Sequence, residues 1–315
     1  MTRAIPTYVA RIGVLVALAV FACAREVQAQ EMEPRAYSPS PMGTNFLAVA
    51  LGNSRGGVLF DPSLPVTDVE ANLDSANIGY GRAIRIGRLQ GLVVGGVPYV
   101  IGTIKGNVSE QAQQIRRSGL ADVRVKFSLN LLGTKAMNRE EFAKAPKKTI
   151  FGVSLAVQAP TGQYDPTKLI NLGTNRWAFK PEVGVSVPVG RWFLDAYLGA
   201  WFFTNNGQFY TGNSTRQQDP LTVLQAHASY VFKSRAWLAI DATWYGGGAS
   251  TVNSNPPSTH QSNSRLGATF AAPLVQGHSL KFALSTGAST RTGTDFDSIL
   301  VAWQFMWFDR PPRAR

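Results

Sequence analysis

The sequence predicts an all-β protein, an antiparallel transmembrane β-barrel of about twelve strands, on three observations. Stretches of roughly ten residues alternate apolar and polar side chains, the connections between them are alternately long and short, and aromatic residues collect near the stretch ends. In LADVRVKFSLNLLG, residues 120–133, Ala121, Val123, Val125, Phe127, Leu129 and Leu131 hold the odd positions. Asp122, Arg124, Lys126, Ser128 and Asn130 hold the even ones. Successive side chains on a strand point to opposite faces, so this strand has one face for lipid and one for water. A soluble two-sheet protein would also alternate, but strand length, aromatic placement and loop asymmetry favour the barrel.

Taken in order, residues 1–29 read as an export signal. Arg3 and Arg11 precede the apolar run IGVLVALAVFACA, and Val27 to Ala29 offer small residues for cleavage after Ala29. The run is too short to cross a bilayer as a helix. The single cysteine, Cys23, lies within it, so the rest of the chain has no disulfide framework. Residues 30–42, within QEMEPRAYSPSPMG, are proline-rich and lack alternation, and read either as a periplasmic tail or as an internal plug.

The barrel itself is expected over 43–308. Alternating segments start near Gly43, Ser75, Gly91, Leu120, Thr149, Trp177, Trp192, Pro220, Ala236, Asn263, Ser279 and Phe296. Long polar connections such as TGQYDPTKLINLGTN and TNNGQFYTGNSTRQQD take turns with tight ones such as IGRLQG and PVGR. Outer-membrane barrels have this asymmetry, with long loops outside the cell and short turns facing the periplasm. Residues 134–148, with a helix-like NREEFAK core, break the rule and read as an insertion in a short-turn position. Around Ile78 to Ile86 either register leaves one arginine, Arg82 or Arg85, on the lipid side. DRPPRAR, 309–315, forms a C-terminal tail.

Composition narrows the function class. The chain is 44% hydrophobic and 16% charged, with no apolar run long enough for a membrane helix beyond the leader. The net charge of +12 would suit a nucleic-acid partner. The export signal and the scatter of the basic residues, clustered only within 134–148, argue against one. The expected partners are outer-membrane lipid, a small-molecule solute and the barrel assembly machinery.

Several stretches resemble a known family. VLFDPSLPVTDVEANL (58–73), RSGLADVRVKFSLNLLG (117–133), APTGQYDPTKLINLGTNRWAFKPEVG (159–184), QDPLTVLQAHASY (218–230) and QSNSRLGATF (261–270) are similar to bacterial barrels described as transporters of the meta-pathway of phenol degradation. The resemblance covers nearly the whole chain after the leader. It implies an outer-membrane protein that takes up small aromatic or other hydrophobic compounds, and it supplies no binding residues to carry over.

Alternation assigns Asp122, Arg124, Lys126, Lys180, Glu182, Asp195, Asp241, Arg265 and Lys281 to the lumen. Twelve strands leave a narrow interior, between the filled eight-stranded and the open sixteen-stranded cases. The loop with Tyr164, Asp165, Leu169, Ile170 and Leu172 carries an apolar patch in an exposed connection, and is expected either to close the mouth or to pack on neighbouring loops. The expected function is passive uptake of small hydrophobic or aromatic solutes, without cofactor. The alternatives are a structural or adhesive barrel with a closed lumen, and an acyl hydrolase. The hydrolase would use His260 and Ser262, a His-x-Ser pattern similar to outer-membrane phospholipase A, but no acid or Asn between Gly267 and Gly293 could orient the histidine. The histidines have no metal-ligand spacing, and no phosphate-binding glycine loop is present.

Overall fold

A strand in lipid must pair with a neighbour on each side, because no water is there to satisfy its backbone. The computed structural model describes residues 32–59, 66–108, 111–168, 170–210, 212–253, 260–291 and 293–309. The predicted leader, Leu169 and the tail beyond Asp309 lie outside the described residues. The strands are β1 (Thr44–Leu59), β2 (Val66–Ile86), β3 (Leu89–Val108), β4 (Gln111–Leu120), β5 (Arg124–Leu132), β6 (Ile150–Gln158), β7 (Ala178–Val189) and β8 (Trp192–Phe203). There follow β9 (Asn206–Phe209), β10 (Ser214–Gln218), β11 (Leu221–Val231), β12 (Trp237–Gly247), β13 (Ser250–Val252), β14 (Gln261–Pro273), β15 (His278–Ser289) and β16 (Gly293–Phe308).

The sheet closes on itself. β1 pairs antiparallel with β16 from Thr44↔Phe308 to Leu59↔Gly293, and β2 pairs with β3. β4 and β5 both lie along β3, the first against Tyr99 to Val108 and the second against Gln90 to Gly96. They are two halves of one barrel strand, broken at 121–123. With β9, β10 and β13 forming a separate three-stranded sheet, the barrel has twelve strands, as the alternation predicts. Both described ends of the chain lie with the tight turns, at the short-turn end.

Register fixes the faces. Even residues of β5, β6 and β7 and odd residues of β8, β11, β12 and β14 are buried inward, while Leu155, Val183, Leu198, Leu224, Ile240 and Leu266 stand exposed on the apolar outer surface. Trp177, Trp192, Phe202, Trp244 and Trp307 face out, as an interfacial aromatic belt requires. Trp201 and Phe203, which strand-end position alone would assign to that belt, instead point inward.

Two local features depart from the regular pattern. Arg82 is the arginine left on the outer face. It is joined to Asp309 at 2.7 Å and to Asn45 at 3.3 Å, and Tyr80 donates to the same Asn45. Arg85 instead reaches the Ala136 carbonyl at 3.5 Å. The barrel is also uneven: β1, β2, β3 and β16 run 16, 21, 20 and 16 residues, against 9 for β6 and 11 for β11. The extra length extends past the long-loop end, where the outer positions Arg55, Glu70, Asn72, Asp295 and Asp297 are polar.

The insertion forms a short helix, α1 (Arg139–Lys144), started by a capping box between Asn138 and Glu141. It crosses the short-turn end, where Met42 N donates to Met137 O, Ala136 N donates to Arg88 O, and Arg139 lies over the Phe308 ring.

Candidate functional site in the barrel interior

All nine lumen candidates lie on the inward side, and three of them, Lys126, Lys180 and Glu182, are gathered into one network. Glu182, 3% exposed, is its hub. Its carboxylate meets the Lys180 ammonium at 3.1 Å and the Lys126 ammonium at 3.4 Å, and accepts from the Tyr37 hydroxyl at 3.2 Å and the Gln225 amide at 3.3 Å. Further round the wall, Asp241 accepts from Thr269 at 2.8 Å and pairs with His227 Nδ1 at 2.7 Å. Arg265 donates to the Phe296 carbonyl at 2.6 Å and to Ser285. Lys281 lies on the inner face of β15, half-buried.

Tyr37 belongs to the proline-rich stretch before β1, and that stretch runs through the interior. Arg35 N donates to Asp195 Oδ2 at 3.0 Å, Ala36 N donates to the Tyr197 hydroxyl at 3.1 Å, Asn130 donates to Tyr37 O, and Glu33 pairs with Lys126. Tyr37 is 1% exposed. Its ring occupies space left by Gly152 and Gly184, where a Cβ at either position would collide with it. The gap remaining beside it, between Ala36, Leu92 and Asn130, is about 10 Å³, at the lower limit for a single water. No periodic signal announces this segment; its local marks are a lone tyrosine and three charges, Glu31, Glu33 and Arg35, among prolines.

The opposite half of the wall is different in chemistry. Register places Ala48, Ala50 and Gly52 of β1, Gly79 and Gly81 of β2, Val94 and Gly96 of β3 and Ala302 of β16 on the inner face. Ala48, Ala50, Gly79, Val94, Gly96 and Ala302 are half-buried or exposed, and Ser75, Asn77 and Gln304 share their face, so this side of the lumen is lined mainly by small side chains and carries fewer charges than the other.

On the charged side, β8 turns an aromatic row inward, and cations lie over its rings. Arg176 sits 4.3 Å from the Phe203 centroid, Arg124 and Lys180 at 5.7 and 5.5 Å from Trp201, and Arg35 and Lys147 at 4.7 and 5.1 Å from Phe193. Cation–π attraction of this kind is worth about 0.5–2 kcal/mol per pair. Burial, with Arg216 alongside, brings the Arg176 guanidinium down to about 9.

Asp122 differs from the other lumen candidates. It sits in the break between β4 and β5, and its carboxylate accepts from Gly162 N, Thr174 N, the Thr174 hydroxyl and the Gln158 amide, all within 2.6–2.9 Å. It is the anchor of the loop between β6 and β7. That loop is pinched where Gly162 and Gly173 bring their backbones together with no room for a Cβ. Of the gate candidates, Tyr164 donates to Gln208 O at 2.9 Å and Ile170 O accepts from Arg117, so the loop packs on β9 and β4; Leu172 is half-buried. Asp165 is held at about 2 by Lys168 and then Thr167. Asp122→Ala is expected to leave these amides unpaired, at about 1–3 kcal/mol each for those still buried. Limited proteolysis should then cut within 162–173 much faster than in the unaltered protein, with the barrel strands intact.

His260 lies in an exposed loop and Ser262 on an outward-facing register position of β14. Among the described residues no group of three or more His, Cys, Asp or Glu could hold a metal ion.

A closed twelve-stranded barrel with this organisation has relatives. The family model described as "Putative MetA-pathway of phenol degradation" matches residues 55–302. The chain belongs to this family. Among solved structures, the COG4313 outer membrane channel from Pseudomonas putida F1 is similar at a TM-score of 0.75 and 18% identity, over 88% of this chain and 100% of that one. This chain thus shares the fold of an outer-membrane channel. The transport unit of the autotransporter AIDA-I from Escherichia coli aligns at a TM-score of 0.47 and 13% identity, over 94% and 97% of the two chains. The CymD monoaromatic hydrocarbon channel aligns at 0.39 and 8%, over 86% and 90%. No curated protein matches the chain.

Proposed function

We propose that this protein is exported to the bacterial outer membrane and there acts as a passive channel for small hydrophobic or aromatic solutes. The short-turn end faces the periplasm. The observation that carries this reading is the two-sided lumen: a wall whose charges pair largely with one another faces a wall built mainly of small side chains, among them Ala48, Ala50, Gly79, Gly96 and Ala302. A wall paired within itself competes weakly for a solute, and the small apolar side chains opposite repay the dehydration of a small ring. Residues 32–42 act as a plug, narrowing the passage to one solute at a time. The loop anchored by Asp122 shapes the outer mouth. The family membership supports the same class of solute.

The test is uptake of a radiolabelled small aromatic by proteoliposomes containing the refolded protein. Placing bulk on the apolar wall, as in Gly79→Phe with Ala50→Phe, should lower the uptake rate several-fold while circular dichroism stays that of a barrel. Uptake equal to that of empty liposomes, with the barrel folded, would turn the reading to a closed structural barrel.

A further inference from the structure

The insertion between β5 and β6, which the alternation leaves unexplained, builds one wall of a cavity of about 740 Å³ at the short-turn end. This volume is within the usual range for small-molecule sites. The opposite side comes from Arg35 of the plug and Phe193 of β8. Arg35, Lys135, Lys147 and Lys148 line the cavity, together with Phe142 and Phe193, and no Asp or Glu does so among the described residues. Among the described residues, Lys135, Lys147 and Lys148 form no ion pair. Two of the cations, Arg35 and Lys147, close on the single Phe193 ring. Asp195 gives one oxygen to the Arg35 backbone N–H and does not line the cavity.

We infer that this cavity binds an aromatic carboxylate. Four cations around one space repel each other until an anion enters, and the guanidinium and ammonium groups supply charge-assisted donors to a carboxylate. The Phe142 and Phe193 rings give the ligand's ring a flat apolar surface, with edge or offset contact to each. Arg35 is shared with the plug, so the ligand touches the segment that fills the lumen. The choice of an aromatic body rests on the uptake reading above; the choice of an anion rests on the cavity alone.

Equilibrium dialysis of 2-naphthoate against the refolded full chain in detergent, corrected with protein-free micelles, tests this. Saturable binding is expected, weakened at least tenfold in Lys147→Ala/Lys148→Ala and weakened by added salt. The neutral 2-naphthalenemethanol should bind at least tenfold more weakly, and inorganic phosphate at the same concentration should not displace naphthoate. Lys147 and Lys148 are exposed, so the variant should fold, and circular dichroism checks that it does. Equal binding of the neutral analogue, an unaffected double variant, or displacement by phosphate would each overturn the inference. Aromatic uptake without naphthoate binding would remove this site and leave the channel; naphthoate binding in a protein that transports nothing would keep the site and remove the channel.

Discussion

Removing residues 30–42, so that the chain after its leader begins at Gly43, should raise single-channel conductance in planar bilayers several-fold. The segment lies across the interior at the level of Tyr37, which is 1% exposed, and the gap between it and Gln90, Leu92 and Asn130 is about 10 Å³. It is held by side chains from three wall strands, β5, β7 and β8: Lys126, Asn130, Glu182, Asp195 and Tyr197. None of its described residues pairs into the barrel sheet, so its loss leaves every strand pairing in place. The variant should migrate as a folded barrel and conduct more. A narrower test keeps the chain length: Gly184→Val fills the space taken by the Tyr37 and Tyr197 rings, and should raise conductance in the same direction by expelling Tyr37. Unchanged conductance in both would mean that the plug is not what limits flow.

Glu182→Ala should be the most destabilising single change in the interior. It strands Lys180, 1% exposed, without the carboxylate that lies 3.1 Å away, and removes the acceptor of Tyr37 and Gln225. Taking one partner from a buried pair costs about 3–5 kcal/mol, because the remaining charge stays out of water. Replacing both, as in Lys180→Met/Glu182→Leu, should recover most of that loss, since two apolar side chains of similar volume need no partners. Urea unfolding in detergent followed by tryptophan fluorescence measures both. Equal stability of Glu182→Ala and the parent would show that lumen water reaches Lys180 and screens it.

How much of this was legible in the sequence follows from period. A repeat of two fixes the face of every residue on a strand once one residue is placed, so Lys126, Lys180, Glu182, Asp195, Asp241, Arg265 and Lys281 could be assigned inward without coordinates. The same regularity hid the break at 121–123: Asp122 continues the alternation of 120–133, yet serves the loop between β6 and β7. Trp201 and Phe203 misled for another reason. Aromatic residues near strand ends suit an interfacial belt, but β8 places its odd residues inward, and there the rings meet cations from Arg124, Lys180 and Arg176. The plug was illegible in detail because it has no hydrogen-bond period of its own; its place is set by individual contacts across more than ninety residues of sequence, which no local pattern carries.

The unequal strands have a consequence for the cell exterior. A tilted strand crosses the bilayer in about 9–11 residues, so roughly half of β2 and β3 stands clear of it. On one flank the protein therefore raises a rigid, hydrogen-bonded parapet beyond the bilayer, with Glu70, Asn72 and Arg55 on its outer side. The opposite flank is topped instead by the loop between β6 and β7 and by the small sheet of β9, β10 and β13. In the proposed orientation, molecules arriving at the cell surface would meet a rim that is strand-built on one side and loop-built on the other.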